Sequence, residues 1–230
     1  MPHSLARRVS RNPRRYTENV LTPTPRSRTT RRVVIGVLLV AVVVLLGATT
    51  AVVLPILTHQ SAGGSGQSSL PAGYVSEVRA EGADGRVRTL SVDTLGGEPA
   101  DLSRLTPGDT FVVHGTGFDA DIGIYVGICA VPPPGEKPSP CLGGIPDTAQ
   151  GAEVAETSVW ITDDWAWSAF ANQGYDHPGR GEFTARLLVG EPVSNGLDCT
   201  VTRCAITTRA DHTASGDRVQ DIQLPVAFTP

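Results

Sequence analysis

Apolar residues fall into three regimes along this 230-residue chain. Val33 to Leu57 is one run of 25 residues without a charge, VVIGVLLVAVVVLLGATTAVVLPIL. About 20 residues rising 1.5 Å each cross the hydrocarbon layer, so the run predicts a transmembrane helix with some tilt. Ser61 to Ser69, SAGGSGQSS, is almost devoid of apolar side chains and predicts a flexible Gly/Ser tether. From about Leu70 onward the pattern changes again. Short runs rich in Val and Thr alternate with turn residues, and no long stretch shows helical apolar spacing.

Seven of these runs read as strands: Arg88–Val92, Asp109–His114, Gly123–Val131, Thr157–Thr162, Glu182–Val189, Cys204–Arg209 and Asp221–Phe228. Tyr74–Arg79 is a candidate for a further strand before them. Short strands separated by Gly and Pro, with little helix signal, predict an all-β domain, an immunoglobulin-like seven-stranded antiparallel sandwich preceded by one transmembrane helix. Pro225 lies inside the last run, which places that strand at an edge or a bulge.

Charge sharpens the division. The net of -4 hides a basic head: residues 1–32 hold nine arginines and one acid, Glu18, so the remainder carries a net -12, 10 bases against 22 acids. Arg7 to Arg32, interleaved with Pro, Ser and Thr, cannot bury a core and reads as disordered. Arginines before the apolar run and none just after it place the head in the cytoplasm and the rest outside. A cleaved signal peptide, processed near Thr49-Thr50-Ala51, is the rival reading, and Thr30-Arg31-Arg32 is compatible with twin-arginine export. The continuation of the run to Leu57 favours a retained anchor. The acidic ectodomain would repel phosphate, so direct nucleic-acid binding is not expected.

Four cysteines, Cys129, Cys141, Cys199 and Cys204, all follow the apolar run. An even number on one side of a membrane segment predicts disulfides in an oxidising compartment. Cys129 ends a strand and Cys141 follows the loop PPPGEKPSP, so a 129–141 bridge would close a protruding loop. A 199–204 bridge would close a tight turn. The spacings are not zinc-like, and neither a metal nor a cofactor is expected.

The segment Tyr125-Val126-Gly127-Ile128-Cys129-Ala130, then Cys141, then Asp198-Cys199-Thr200 with Cys204 and a closing Val226-Ala227-Phe228, resembles the neocarzinostatin–macromomycin family. Those are small secreted actinobacterial apoproteins that carry enediyne chromophores. The resemblance covers about Val87 to Phe228 and includes the turn Gly115-Thr116-Gly117-Phe118. It implies a seven-stranded sandwich with a cleft holding an apolar, aromatic ligand, in a protein that does not itself read DNA. Val131 falls where the family has a cleft-lining Trp, and Ala205 where it has a Gln, so a stacking surface and a polar handle are missing. The anchor, the Gln150–Gly181 insertion and the charged Arg209–Asp221 turn also depart from the family. A domain of this kind is similar to ones found in actinobacterial envelope proteins without a chromophore.

Five of the twelve aromatic residues lie between Trp160 and Tyr175: Trp160, Trp165, Trp167, Phe170 and Tyr175. Large π faces suit a ligand cleft, but Trp160 equally suits the core. Arg209, Asp211, His212, Asp217, Arg218 and Asp221 form a polar cluster, read either as anion recognition and acid–base chemistry or as an ion-paired turn. Asp163-Asp164 reads as a turn rather than a cation site, and His114 as an ordinary strand residue. No nucleophile elbow is present, and no catalytic residue is assigned. The expected domains are a basic cytoplasmic segment at 1–32, a transmembrane helix at 33–57, a linker at 58–72 and an extracellular domain at 73–230. The expected function is a non-catalytic binding domain at the cell membrane that takes an apolar or aromatic small molecule. Tyr125, Val131, Trp165, Trp167, Ala205, Thr207 and Arg209 are the candidate binding residues. The alternative is a structural or protein-interaction module of the envelope.

Overall fold

A computed structural model of the chain describes residues 28–144, 151 and 155–229. Most of the basic head, residues 1–27, lies outside the described residues. The chain divides into two compact units, Met1–Ala48 and Thr49–Pro230. One helix, α1 (Arg28–Thr58), is long and apolar enough to cross a membrane. It begins at Arg28, so Arg28 to Arg32, read above as part of the disordered head, form its first turn. Its last turns, from Thr49 onward, belong with the second unit.

Among the described residues that follow, β-strands dominate, with two short 3-10 turns at Pro178–Arg180 and His212–Ala214, and all seven expected runs are present. The strands are β1 (Glu77–Glu81), β2 (Val87–Thr94), β3 (Thr110–Thr116), β4 (Ile124–Ala130), β5 (Ser158–Ile161), β6 (Phe183–Leu188), β7 (Val193–Ser194), β8 (Leu197–Asp198), β9 (Cys204–Ala210) and β10 (Gln223–Val226). They form two four-stranded antiparallel sheets, ordered β1-β2-β3-β6 and β10-β9-β4-β5, and the small ribbon β7-β8. Beyond the seven, β1 overlaps the strand suspected at Tyr74–Arg79 at residues 77–79, and the ribbon is new. Two-residue strands such as β7 and β8 are too short to leave an alternating pattern.

Side chains of a strand alternate between its faces. Leu90 and Val92 of β2, Phe111 and Val113 of β3, Val126 and Ile128 of β4, and Ile206 of β9 thus enter one shared core. Gly115 of β3 stands opposite Phe183 of β6. A Cβ there would come within 2.0 Å of the Phe183 ring, so the glycine makes room for an aromatic that packs edge-on against Phe118 at 5.1 Å. Pro225 lies in β10, which is an edge strand of its sheet, where a missing N–H breaks no ladder.

Two buried polar devices tie the turns to this frame. Arg88 on β2 is fully buried. It donates to both Asp84 oxygens at 2.9 and 2.6 Å and to Gln220 Oε1 at 2.8 Å, which satisfies a charge that burial would otherwise penalise heavily. Asp217 is also fully buried: it accepts from Val219 N at 2.9 Å and from Ala62 N at 3.0 Å, and lies 3.0 Å from His59 Nε2. Through these bonds, and through Gln67 to the Gln223 backbone at 2.7 Å in both directions, the run read as a free tether is held against the domain. Its composition leaves it supple, and the acceptor that fixes it, Asp217, is 155 to 158 residues away in sequence, beyond any local signal.

Candidate ligand-binding face

The outer face of the second sheet is set by the β4–β9 register. Tyr125, Gly127 and Cys129 pair with Arg209, Thr207 and Ala205, all on the face opposite the core. The disulfide from Cys129 to Cys141 folds the intervening loop back on this face. Ala130 N donates to Pro140 O at 2.9 Å, and Arg209 Nη1 donates to Pro138 O at 2.7 Å. Arg209 thus holds the C-terminal half of the loop, where Pro138 is buried, while Pro133–Glu136 at its tip are exposed. Ala205 and Thr207 are fully buried beneath it. The second disulfide joins Cys199 and Cys204.

On one side of this cover is an aromatic and polar cluster. Trp160 on β5 pairs with Tyr125, their rings 5.8 Å apart, and Arg209 lies 5.6 Å from the Tyr125 ring centroid. Asp211 and His212 follow β9 directly. Asp211 is fully buried: one carboxylate oxygen accepts from Trp160 Nε1 at 2.9 Å, the other from Thr213 N and Oγ1 at 2.8 and 2.6 Å. His212 packs edge-on between Trp160 and Trp167, at 5.2 and 4.6 Å, with Nδ1 3.3 Å from the Tyr125 hydroxyl. Burial, with Asp211 adding, pushes that hydroxyl up to about 12, so Tyr125 stays neutral. Asp211 and His212 each have other partners, and the Asp211 oxygens are both engaged in holding the turn. The arrangement does not make Asp211 an available base for His212.

The tryptophan segment divides. Asp164 Oδ1 accepts from Ala166 N at 2.8 Å, and Trp167 N and Ser168 N return to Asp164 O. This capped turn sends Trp167 inward onto His212 and leaves Trp165 72 % exposed. The Asp163-Asp164 pair thus serves a turn, with Asp163 Oδ1 accepting from Tyr175 N at 3.3 Å.

On the other side of the cover is a cavity of about 510 Å3, a size that suits a small organic ligand. Its walls are Gly64–Leu70 and Val131–Glu136, and Arg203, Arg218, Asp221 and Gln223 complete it. Asp221 Oδ2 accepts from Arg218 Nη1 at 2.8 Å. Asp221 Oδ1, Gln223 Oε1, Thr207 Oγ1, Arg209 Nε and His212 Nε2 are buried and have no hydrogen-bond partner among the described residues. Buried polar atoms are nearly always paired, so this group marks the outer face as chemically incomplete. Burial lifts the Asp221 carboxyl to about 7, against the pull of Arg218, and burial pushes Lys137 down, helped by Arg209 and Arg218.

Of the seven candidate binding residues, Val131 alone lines this cavity. Tyr125, Trp167 and Arg209 meet in or beside the aromatic cluster, Ala205 and Thr207 lie under the loop, and Trp165 points elsewhere. Asp221, Gln223, Arg203 and the 64–70 segment were missed as a lining. The alternation of β10, which puts Gln223 outward opposite Thr207, is a signal that could have found Gln223; the others carry no local signal.

No family model and no curated protein matches the chain. Among solved structures it is similar to macromomycin, with 21 % identity over 61 % of this chain and 98 % of that chain, at a TM-score of 0.33. A likeness of that degree says nothing about a ligand.

Proposed function

We propose that this chain is a non-catalytic binding module of immunoglobulin type, held at the outer surface of the cell membrane by α1 with the arginine-rich head inside. Residues 1–32 are cytoplasmic in this reading, 33–57 cross the bilayer, 58–72 link, and 73–230 form the external domain. Its ligand is a small molecule with an apolar body and a hydrogen-bond donor, seated between the proline loop and residues 64–70. The observation that carries this reading is the cavity beside Val131, whose lining includes Asp221 and Gln223, two residues that each keep a buried oxygen without a hydrogen-bond partner among the described residues. Pro132, Pro133, Pro134 and Leu70 supply apolar wall, and the acceptors supply orientation, the division of labour found in small-molecule sites.

The chain crosses between its two sheets after β3, after β5 and again before β9, a circuit that supports the immunoglobulin-type assignment. Val131 and Ala205 stand where the resembled family has Trp and Gln, and Ala205 is covered, so an enediyne is not the ligand proposed. The test is a ligand-observed NMR screen of apolar amines and alcohols against the full chain in nanodiscs. Hits are expected to lose binding on Gln223→Ala and to be unaffected by Val201→Ala, on an exposed turn. A screen without hits, or hits indifferent to Gln223, would overturn the assignment of this cavity.

A further inference from the structure

We infer that the Asp163–Phe170 turn rests in the headgroup layer of the bilayer that α1 crosses, with the Trp165 indole as its main insertion. The inference depends on the membrane-spanning reading of α1 and goes beyond it, because it names a second contact of this chain with the bilayer.

Three observations carry it. Trp165 and Phe170 are 72 and 66 % exposed, on a turn whose middle aromatic, Trp167, is tucked against His212. An indole left in water has no structural use here, whereas Trp at a membrane interface places an apolar body and a polar N–H where each is favoured. Next, this turn lies beside the last turns of α1. Trp165, Ala166 and Trp167 line a crevice of about 110 Å3 together with Ala51, Val52, Pro55 and Ile56. Finally, the exit from the helix has no slack. Thr58 Oγ1 bonds back to Leu54 O at 2.8 Å, and the next residues, His59, Ser61 and Ala62, are all held by Asp217.

Depth then follows from length. Val33 to Thr50 rises about 27 Å at 1.5 Å per residue, close to the roughly 30 Å of a hydrocarbon core. The polar pair Thr49-Thr50 marks its outer limit. Residues 51–56 therefore pass through the headgroup layer, roughly 5–8 Å thick on each side, and Trp165 is level with them. Asp121 and Asp164 line the same crevice, and carboxylates exclude a position any deeper in hydrocarbon. The acids and the indole agree on the interface alone.

The experiment uses the full chain in phospholipid nanodiscs. All four native cysteines are in disulfides, so Trp165→Cys, Val43→Cys and Val201→Cys each offer one thiol for a nitroxide label. Power-saturation EPR then compares exposure to oxygen, which partitions into lipid, with exposure to a water-soluble nickel chelate. The oxygen-to-nickel ratio is expected to be highest at 43, lowest at 201, and several-fold above the value at 201 for position 165. A ratio at 165 equal to that at 201, with 43 in lipid, overturns the docking and leaves the anchor standing; a protein partner would then be the occupant of the aromatic turn. An aqueous reading at 43 overturns the anchor and the docking with it. If Trp165→Cys misfolds, quenching of native tryptophan fluorescence by brominated lipid replaces it. Quenching is expected in the unaltered chain and largely absent in Trp165→Phe, and equal quenching in both refutes the placement.

Discussion

Replacing Asp221 by Asn should change the pH dependence of stability in a defined window. Asp221 is 6 % exposed, and its carboxyl is lifted from 3.8 to about 7, chiefly by burial. Between about pH 4 and 7 the unfolded chain releases this proton while the folded chain keeps it. The folded state then binds more protons, so stability falls as pH rises through the window, and the full penalty is present above 7. About three units at roughly 1.4 kcal/mol each set a ceiling of about 4 kcal/mol, of which about 3 falls between pH 5 and 8. Asn keeps the shape and cannot ionise, and Arg218 retains its bond to Ser215 O at 2.7 Å. Guanidinium unfolding of both proteins, followed by tryptophan fluorescence at about pH 5, 6, 7 and 8, should show the variant gaining on the wild type as pH rises. The opposite contributions of Asp84 and Asp217 do not intrude. Arg88 holds Asp84 below its ordinary value; burial raises Asp217, but Val219 N, Ala62 N and His59 more than offset it. Their stabilisation is lost only as pH falls below about 4. Parallel curves for variant and wild type from pH 5 to 8 would refute the reasoning.

Removing the first disulfide with the pair Cys129→Ala and Cys141→Ala should lower stability by about 3 kcal/mol and free the loop, so that amide exchange at Ala205 and Thr207 accelerates; unchanged exchange there would mean that Arg209 alone holds the cover. Asp211→Ala leaves the Trp160 indole N–H and Thr213 N without an acceptor, for an expected loss of about 3 kcal/mol and a shifted tryptophan emission, with Asp211→Asn recovering part of it. A loss within about 0.5 kcal/mol, the range of ordinary surface substitutions, would show that the carboxylate is not what fixes the turn. Asp217→Asn should speed amide exchange across residues 59–67 while the β2–β3 amides stay protected, because it weakens the acceptor shared by His59, Ser61 and Ala62; uniform loss of protection would refute a local role.

The sheets were legible because β2, β3 and β6 alternate buried and half-buried positions, whereas β4, β5 and β9, buried on both faces, stand out as short β-prone runs between turn residues. The disulfide partners were legible because each pair closes a short loop beside a strand, 12 residues apart for Cys129 and Cys141 and 5 for Cys199 and Cys204. The site was not. Val131 lines a cavity, whereas Ala205 and Thr207, expected among the ligand-binding residues, are fully buried. Loop direction depends on one long-range bond, Arg209 to Pro138 O, across 71 residues of sequence. The charged turn from Arg209 to Asp221 admitted a functional and a structural reading, and the structure divides it: Asp211 and Asp217 are spent on holding backbone, whereas Asp221 keeps an oxygen unpaired beside a cavity.

That division bears on how the anchor and the cavity are related. One wall of the cavity is Gly64–Leu70, the stretch that follows the helix, and the opposite wall is the disulfide loop. Gln67 bonds the backbone of Gln223, and both residues line the cavity, so its wall and floor share a residue pair. The Gly/Ser composition that reads as a spacer is what allows this stretch to lie close: Gly66 sits where a Cβ would fall 1.8 Å from the Glu81 carbonyl, at a φ of 78° that favours glycine. A bulkier linker would still reach, but it could not pack. The segment thus builds the site as well as joining it to α1, and a chain cut between the helix and Leu70 would carry the same β-sheets with one side of the cavity missing.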